Sequence, residues 1–153
     1  MSRTTRKFVL DTQIFIAAFR DLAAKEQLKR FHQACAPFEH LSVIVAQELR
    51  AGVLRTKDRE MLEQHVLSHY ERTNRVITPS REAWHRSGDM LSEMANRDGL
   101  ELARVSKSFA NDILLALSCR ESGCVLVTEN VRDFQRIRRY VPFDFVKPWP
   151  VGI

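Results

Sequence analysis

Glycine and proline are scarce, five of each in 153 residues, which excludes a disordered or low-complexity chain in favour of a globular one. No apolar run approaches the ~20 residues that a membrane-spanning helix needs, and no internal repeat is present. Cysteine is rarer still. Cys35, Cys119 and Cys124 are odd in number and contain no CxxC pair. That excludes a paired disulfide framework and suits reduced thiols in a reducing compartment. A zinc site built on Cys119 and Cys124 is disfavoured by the ligand-spacing rules. His65 and His69 stand at i,i+4 without the glutamate of an HExxH site. The basic N-terminus, MSRTTRKFVLDT, lacks the long apolar stretch and small-residue cleavage site of a signal peptide. The expectation is a cytoplasmic protein with no membrane partner, residues 1–5 forming a flexible basic tail.

What is present fits one compact domain over residues 1–153, large enough for a real core. There are 24 basic and 19 acidic residues, a formal charge of +5. Such an excess agrees with a polyanionic partner, and equally with an ordinary basic protein. Residues 7–10 form a short apolar run ending at Asp11-Thr12 and predict a buried strand. Further strands are expected over 41–45, 75–77, 125–127 and 143–146. Helical spacing predicts helices over about 14–32, from Ala46 onward, over 56–72, from Ser80 as N-cap to about 95, and over 109–118. Asn130 caps a short helix (VRDFQRIRRY), and 96–108 reads as a polar surface loop. Short apolar strands alternating with amphipathic helices specify the α/β class, with a mostly parallel sheet of four to five strands covered on both faces.

Ligands of such sheets sit at the carboxyl ends of the strands, near a topological switch point. Four acids fall close to those ends. Asp11 follows the first strand, Glu48 follows the second at the opening of the next helix, Asp112 is placed in the first turn of the most apolar helix, and Asp133 follows the fourth strand beside Thr128, Glu129 and Asn130. Carboxylates gathered on one edge repel one another unless a cation is bound, and hard oxygen ligands select Mg²⁺ or Mn²⁺. Each acid also has a purely structural account. Asp11 fits a strand-terminal turn, Glu48 a solvated first-turn acid, Asp112 a charge favoured by the helix dipole, and Asp133 a capping box with Asn130.

The segments VLDTQIFI, QELRAG, NDILLALSCRESGCVLVTENVRDF and VPFDFVKPW, in that order over most of the chain, resemble the PIN domain. The resemblance is closer still to the VapC toxin ribonucleases of bacterial toxin–antitoxin pairs. It implies a three-layer α/β/α sandwich and a Mg²⁺-dependent endoribonuclease, with Mn²⁺ as a substitute. It also implies an RNA substrate, a small antitoxin partner and a homodimer. It makes Asp11, Glu48, Asp112 and Asp133 the acidic quartet, Asp11 and Asp112 binding metal directly, with Thr128 and Asn130 as the polar positions beside it. Products with 5′-phosphate and 3′-hydroxyl ends are implied in the same way. Gln13 stands where the family commonly has Asn, which bears on the hydrogen bonding around Asp11, and the 57–104 region is longer than in a typical VapC.

Arg132, Arg136, Arg138 and Arg139 follow the fourth strand and are candidates for RNA backbone contact, although a solvated helix face explains them as well; the loop 96–108, with Arg97, Arg104 and Lys107, bears instead on which RNA is chosen. Phe31, Leu54 and Leu62 are candidates for a dimer surface. Two other readings belong to different classes. A PIN-like module could bind RNA or protein without cutting. A receiver-like phosphorylation domain also uses strand-end acids, and Lys147-Pro148 resembles its lysine position, but the third strand leads into Thr78-Pro79-Ser80 with no Asp to phosphorylate.

Overall fold

The computed structural model describes residues 6–150; the expected tail at 1–5 lies outside the described residues. Strands and helices alternate as β1 (Lys7–Leu10), α1 (Thr12–Arg20), α2 (Leu22–Cys35), β2 (Glu39–Ser42), α3 (Val43–Gly52), α4 (Thr56–Leu62), α5 (Ser68–Arg72), β3 (Val76–Ile77), α6 (Arg81–Asp98), α7 (Lys107–Ser122), β4 (Cys124–Val127), α8 (Val131–Arg138) and β5 (Phe145–Val146). All strand pairs are parallel, in the order β3-β2-β1-β4-β5. Helices flank this five-stranded sheet in the expected α/β sandwich. The central strands are the most buried, with all of β4 and all but the first residue of β1 in the core. The edge strands β3 and β5 are only two residues long, which leaves little free ladder for unwanted pairing.

Several element boundaries differ from those that the sequence predicts, each for a local reason. The helix expected over 14–32 breaks at Asp21. That residue takes extended backbone (φ −133, ψ 128), closes α1 and caps α2 by accepting from Ala24 N at 2.9 Å. The second strand lies at 39–42 rather than 41–45. Ser42 Oγ accepts from Ile44 N at 3.1 Å and starts α3 there, so capping and burial override the β propensity of Val43, Ile44 and Val45. The loop expected over 96–108 is shorter, because α6 runs to Asp98 and Ser106 caps α7 through Phe109 N at 3.0 Å. The last strand begins at Phe145. Phe143 instead packs edge-on against Phe134, ring centroids 6.0 Å apart. Two of the three proposed dimer-surface residues are core residues: Phe31 packs against Phe8 and Trp149, and Leu62 is likewise buried, whereas Leu54 is exposed.

From β1 the chain moves to β2 and then β3 on one side, and it returns to place β4 on the other side of β1. The switch point therefore lies between β1 and β4, and all the strands end at the same edge. In such sheets a crevice outside the carboxyl ends is the expected ligand position.

Candidate active site

Strand register brings the first two site residues together. Leu10 pairs with Val127, the last residues of β1 and β4, so Asp11 and Thr128 leave adjacent strands side by side although 117 positions separate them. Thr128 Oγ1 donates to Asp11 Oδ2 at 2.6 Å. Asp11 is the N-cap of α1, and its Oδ1 accepts from Thr12 N at 2.8 Å. Both carboxylate oxygens of Asp11 are thus bonded without Gln13, whose side chain is exposed.

From Thr12 the bonding continues to the second acid, as Thr12 Oγ1 donates to Glu48 Oε1 at 2.9 Å. On the other side, Thr128 Oγ1 accepts from Asn130 N at 3.0 Å. The Asn130 amide then bridges the remaining two acids, Nδ2 donating to Asp133 Oδ2 at 3.1 Å and to Asp112 Oδ2 at 3.3 Å. One hydrogen-bonded chain, Glu48–Thr12–Asp11–Thr128–Asn130, forks at its end to Asp112 and Asp133. All six sequence-predicted site residues lie on it.

Two placements change the structural accounts of these acids. Because α7 starts at Lys107, Asp112 sits in its second turn, and no acid occupies the first; the helix dipole, strongest at the terminal turn, no longer explains it. Glu48 lies in the second turn of α3 for the same reason. Asp133 does stand in the first turn of α8, but the Asn130 side chain makes no capping bond and is turned onto the two carboxylates. The capping box is not formed.

Burial and mutual repulsion set the electrostatics. Asp11 and Asp112 are each only 6 % exposed. The Asp112 carboxyl is pushed up to about 8, first by burial and then by the charges of Asp11, Glu48 and Asp133. Burial also raises Asp11, against the lowering effect of its bonds from Thr128 and Thr12. None of the four acids has an ion-pair partner among the described residues. As placed, no three His, Cys, Asp or Glu side chains among the described residues converge closely enough to ligate one ion. The donor chemistry is nonetheless that of a hard divalent cation: oxygen only, anionic, partly desolvated and lacking a counter-charge. The residues fit such an ion by charge and ligand type.

The sequence analysis did not assign a role to Thr12, which holds Asp11 and Glu48 together; its signal was the Asp-Thr pair. Asn111 is also buried, and its Nδ2 has no hydrogen-bond partner. The other candidate ligands stand elsewhere. His65 and His69 line an apolar pocket with Phe15, His32, Glu39 and Tyr70. There the buried Glu39 accepts from the Tyr70 hydroxyl and lies 2.7 Å from His32 Nδ1. Cys119 and Cys124 are buried free thiols, both raised by burial.

A parallel α/β sheet with acids gathered at the carboxyl edge of β1 and its neighbours defines the class of protein. The PIN domain model matches residues 8–140, and the chain belongs to the PIN domain family. No curated protein gives a significant match. Among solved structures, the chain is similar to FitAcB from Neisseria gonorrhoeae (20% identity, 94% of this chain and 99% of that one, TM-score 0.67). It is also similar to DNA-bound VapBC from Salmonella typhimurium (22% identity, 93% and 98%, TM-score 0.67). A third similar structure is a toxin–antitoxin complex from Klebsiella pneumoniae (21% identity, 95% and 100%, TM-score 0.63). At these identities the likeness is one of fold.

Proposed function

We propose that this protein is a divalent-metal-dependent endoribonuclease, the toxin of a cytoplasmic toxin–antitoxin pair. The observation that carries the nuclease reading is the hydrogen-bonded chain joining four carboxylates, two of them buried and none in an ion pair among the described residues. PIN domains are generally nucleases and typically use a divalent metal. The toxin role rests on the structural neighbours, which are toxin–antitoxin complexes.

In this reading Asp11 and Asp112 hold Mg²⁺ directly, with Mn²⁺ able to replace it, and Glu48 and Asp133 complete the acidic shell. What a divalent cation supplies there is activation of water and neutralisation of charge building on a phosphate. The chain's own residues orient the donors. Thr128 and Thr12 fix both oxygens of Asp11, Thr12 also aims Glu48, and Asn130 holds Asp112 and Asp133. These partners restrict each carboxylate to one rotamer before substrate arrives, which lowers the reorganisation needed during reaction. The basic surface agrees with an RNA substrate. A small antitoxin partner and a homodimer belong to the same proposal.

The test is cleavage of a structured RNA by the purified protein with Mg²⁺, with Mn²⁺ and with EDTA. The intact protein should cut in either metal and stop in EDTA, whereas Asp11→Asn and Asp112→Asn should each lose at least about 100-fold in rate. Undiminished cleavage by both variants would exclude the metal site. Light scattering of the same samples checks the dimer.

A further inference from the structure

The acids are not the end of the feature. Asp133 belongs both to the carboxylate chain and to a concave surface of about 490 Å³ lined by Arg132, Asp133, Gln135, Arg136 and Arg139. Arg132, Arg136 and Arg139 recur at i, i+4 and i+7, which places them on one face of the α8 segment. They extend about 10 Å along the helix axis. Arg136 is half-buried, its guanidinium 5.3 Å from the centre of the Phe109 ring on α7, one turn before Asp112. This contact limits its rotamers and leaves the guanidinium donors at its edge available. Arg132 is exposed and has no ion pair among the described residues. Arg139 reaches only a long contact with Asp98, 3.7 Å. Arg138 is different: it stacks over Phe145 at 4.3 Å and does not line the concavity.

We infer that this concavity is a phosphate-binding groove, in which Arg132, Arg136 and Arg139 hold the backbone of an RNA strand running on from the acids. The inference rests on the nuclease reading for the identity of the strand, and it names the residues that grip it. Guanidinium forks match phosphate oxygens in pairs. Three cations outnumber the single carboxylate of the groove, so the local field favours an anion. Contacts to phosphate position a strand without reading its sequence, so the three arginines supply grip rather than sequence choice.

The experiment separates gripping from cutting. Asp11→Asn in EDTA is the parent, and a fluorescein-labelled single-stranded RNA is titrated across a salt series by anisotropy. Arg132→Ala and Arg136→Ala should each weaken binding about tenfold and reduce the salt slope by about 0.7. Arg136→Lys, which keeps charge but not the planar fork, should recover part of the loss. Arg138→Ala should bind like the parent. Circular dichroism checks the fold, and Arg132, exposed and without an ion pair among the described residues, gives a variant whose folding is secure. Equal binding by parent and Arg132→Ala, or an equal loss in Arg138→Ala, overturns the groove. So does competition by polyglutamate as strong as that by polyuridylate, which would assign the surface to an acidic protein segment. An intact protein that binds RNA through these arginines but never cuts fails the nuclease reading alone. One that cuts while Arg132→Ala and Arg136→Ala bind normally fails the groove alone.

Discussion

Thr128 shows how much of the site depends on single hydroxyl groups. It is fully buried, donates to Asp11 and accepts from the Asn130 amide nitrogen. Thr128→Val keeps the shape but leaves a buried carboxylate oxygen and an N–H unpaired, at about 2 kcal/mol. It also frees the Asp11 rotamer, so affinity for Mn²⁺ should fall roughly 10–100-fold. Thr128→Ser should restore most of both. Thermal unfolding and a Mn²⁺ titration check the pair, and a Val variant that binds metal normally would remove Thr128 from the site. The four acids and both polar partners stand out in the sequence by position, near strand ends or, for Asp112, in an expected first helical turn. Their bonding does not, because the Thr128–Asp11 bond depends on which strand lies beside β1. Thr12 carried only the weak signal of following Asp11.

At the scale of elements, caps decided what propensity left open. Ser42, Asp21 and Ser106 each offer a side-chain oxygen to an N–H of the following helix, and their positions moved three boundaries away from the expected ones. The shift at α7 bears on the proposed site, since it carries Asp112 from a first turn, where a charge is unremarkable, to a buried second turn, where it is costly. The other end of α7 is closed by Gly123 in the left-handed region, φ 65. A Cβ there meets nothing within 4 Å, so Gly123→Ala tests backbone conformation alone. It should cost about 1 kcal/mol, read by urea unfolding. A neutral result would mean that the turn accommodates a side chain by relaxing its backbone.

For the molecule as a whole, the carboxylates make stability depend on pH and, in the proposed reading, on metal. Asp112 is raised from 3.8 to about 8 and Asp11 is raised as well, burial being the first cause for both. The folded state therefore binds more protons than the unfolded chain across that window, and unfolding free energy falls as pH rises through it. In EDTA the melting temperature should decline between pH 3.8 and about 8 from this contribution, then level off. Asp112→Asn should flatten the decline, and Mg²⁺ should raise stability most at the alkaline end. A melting temperature that climbs through the window in EDTA, with no difference in Asp112→Asn, would contradict the shifts.

The sequence by itself determined the alternation of short buried strands with amphipathic helices, because hydrophobic period and turn chemistry are local. It also placed Asp11, Glu48, Asp112 and Asp133 near the ends of those elements. Only the tertiary structure decided that β1 lies between β2 and β4, that Leu10 registers with Val127, and that the Asn130 amide turns onto two acids rather than capping its own helix. Those choices depend on backbone pairing between distant segments and on the electrostatic field of groups that meet only after folding. The parallel sheet brings its strand ends to a common edge, and acids far apart in the sequence thereby join one hydrogen-bonded set.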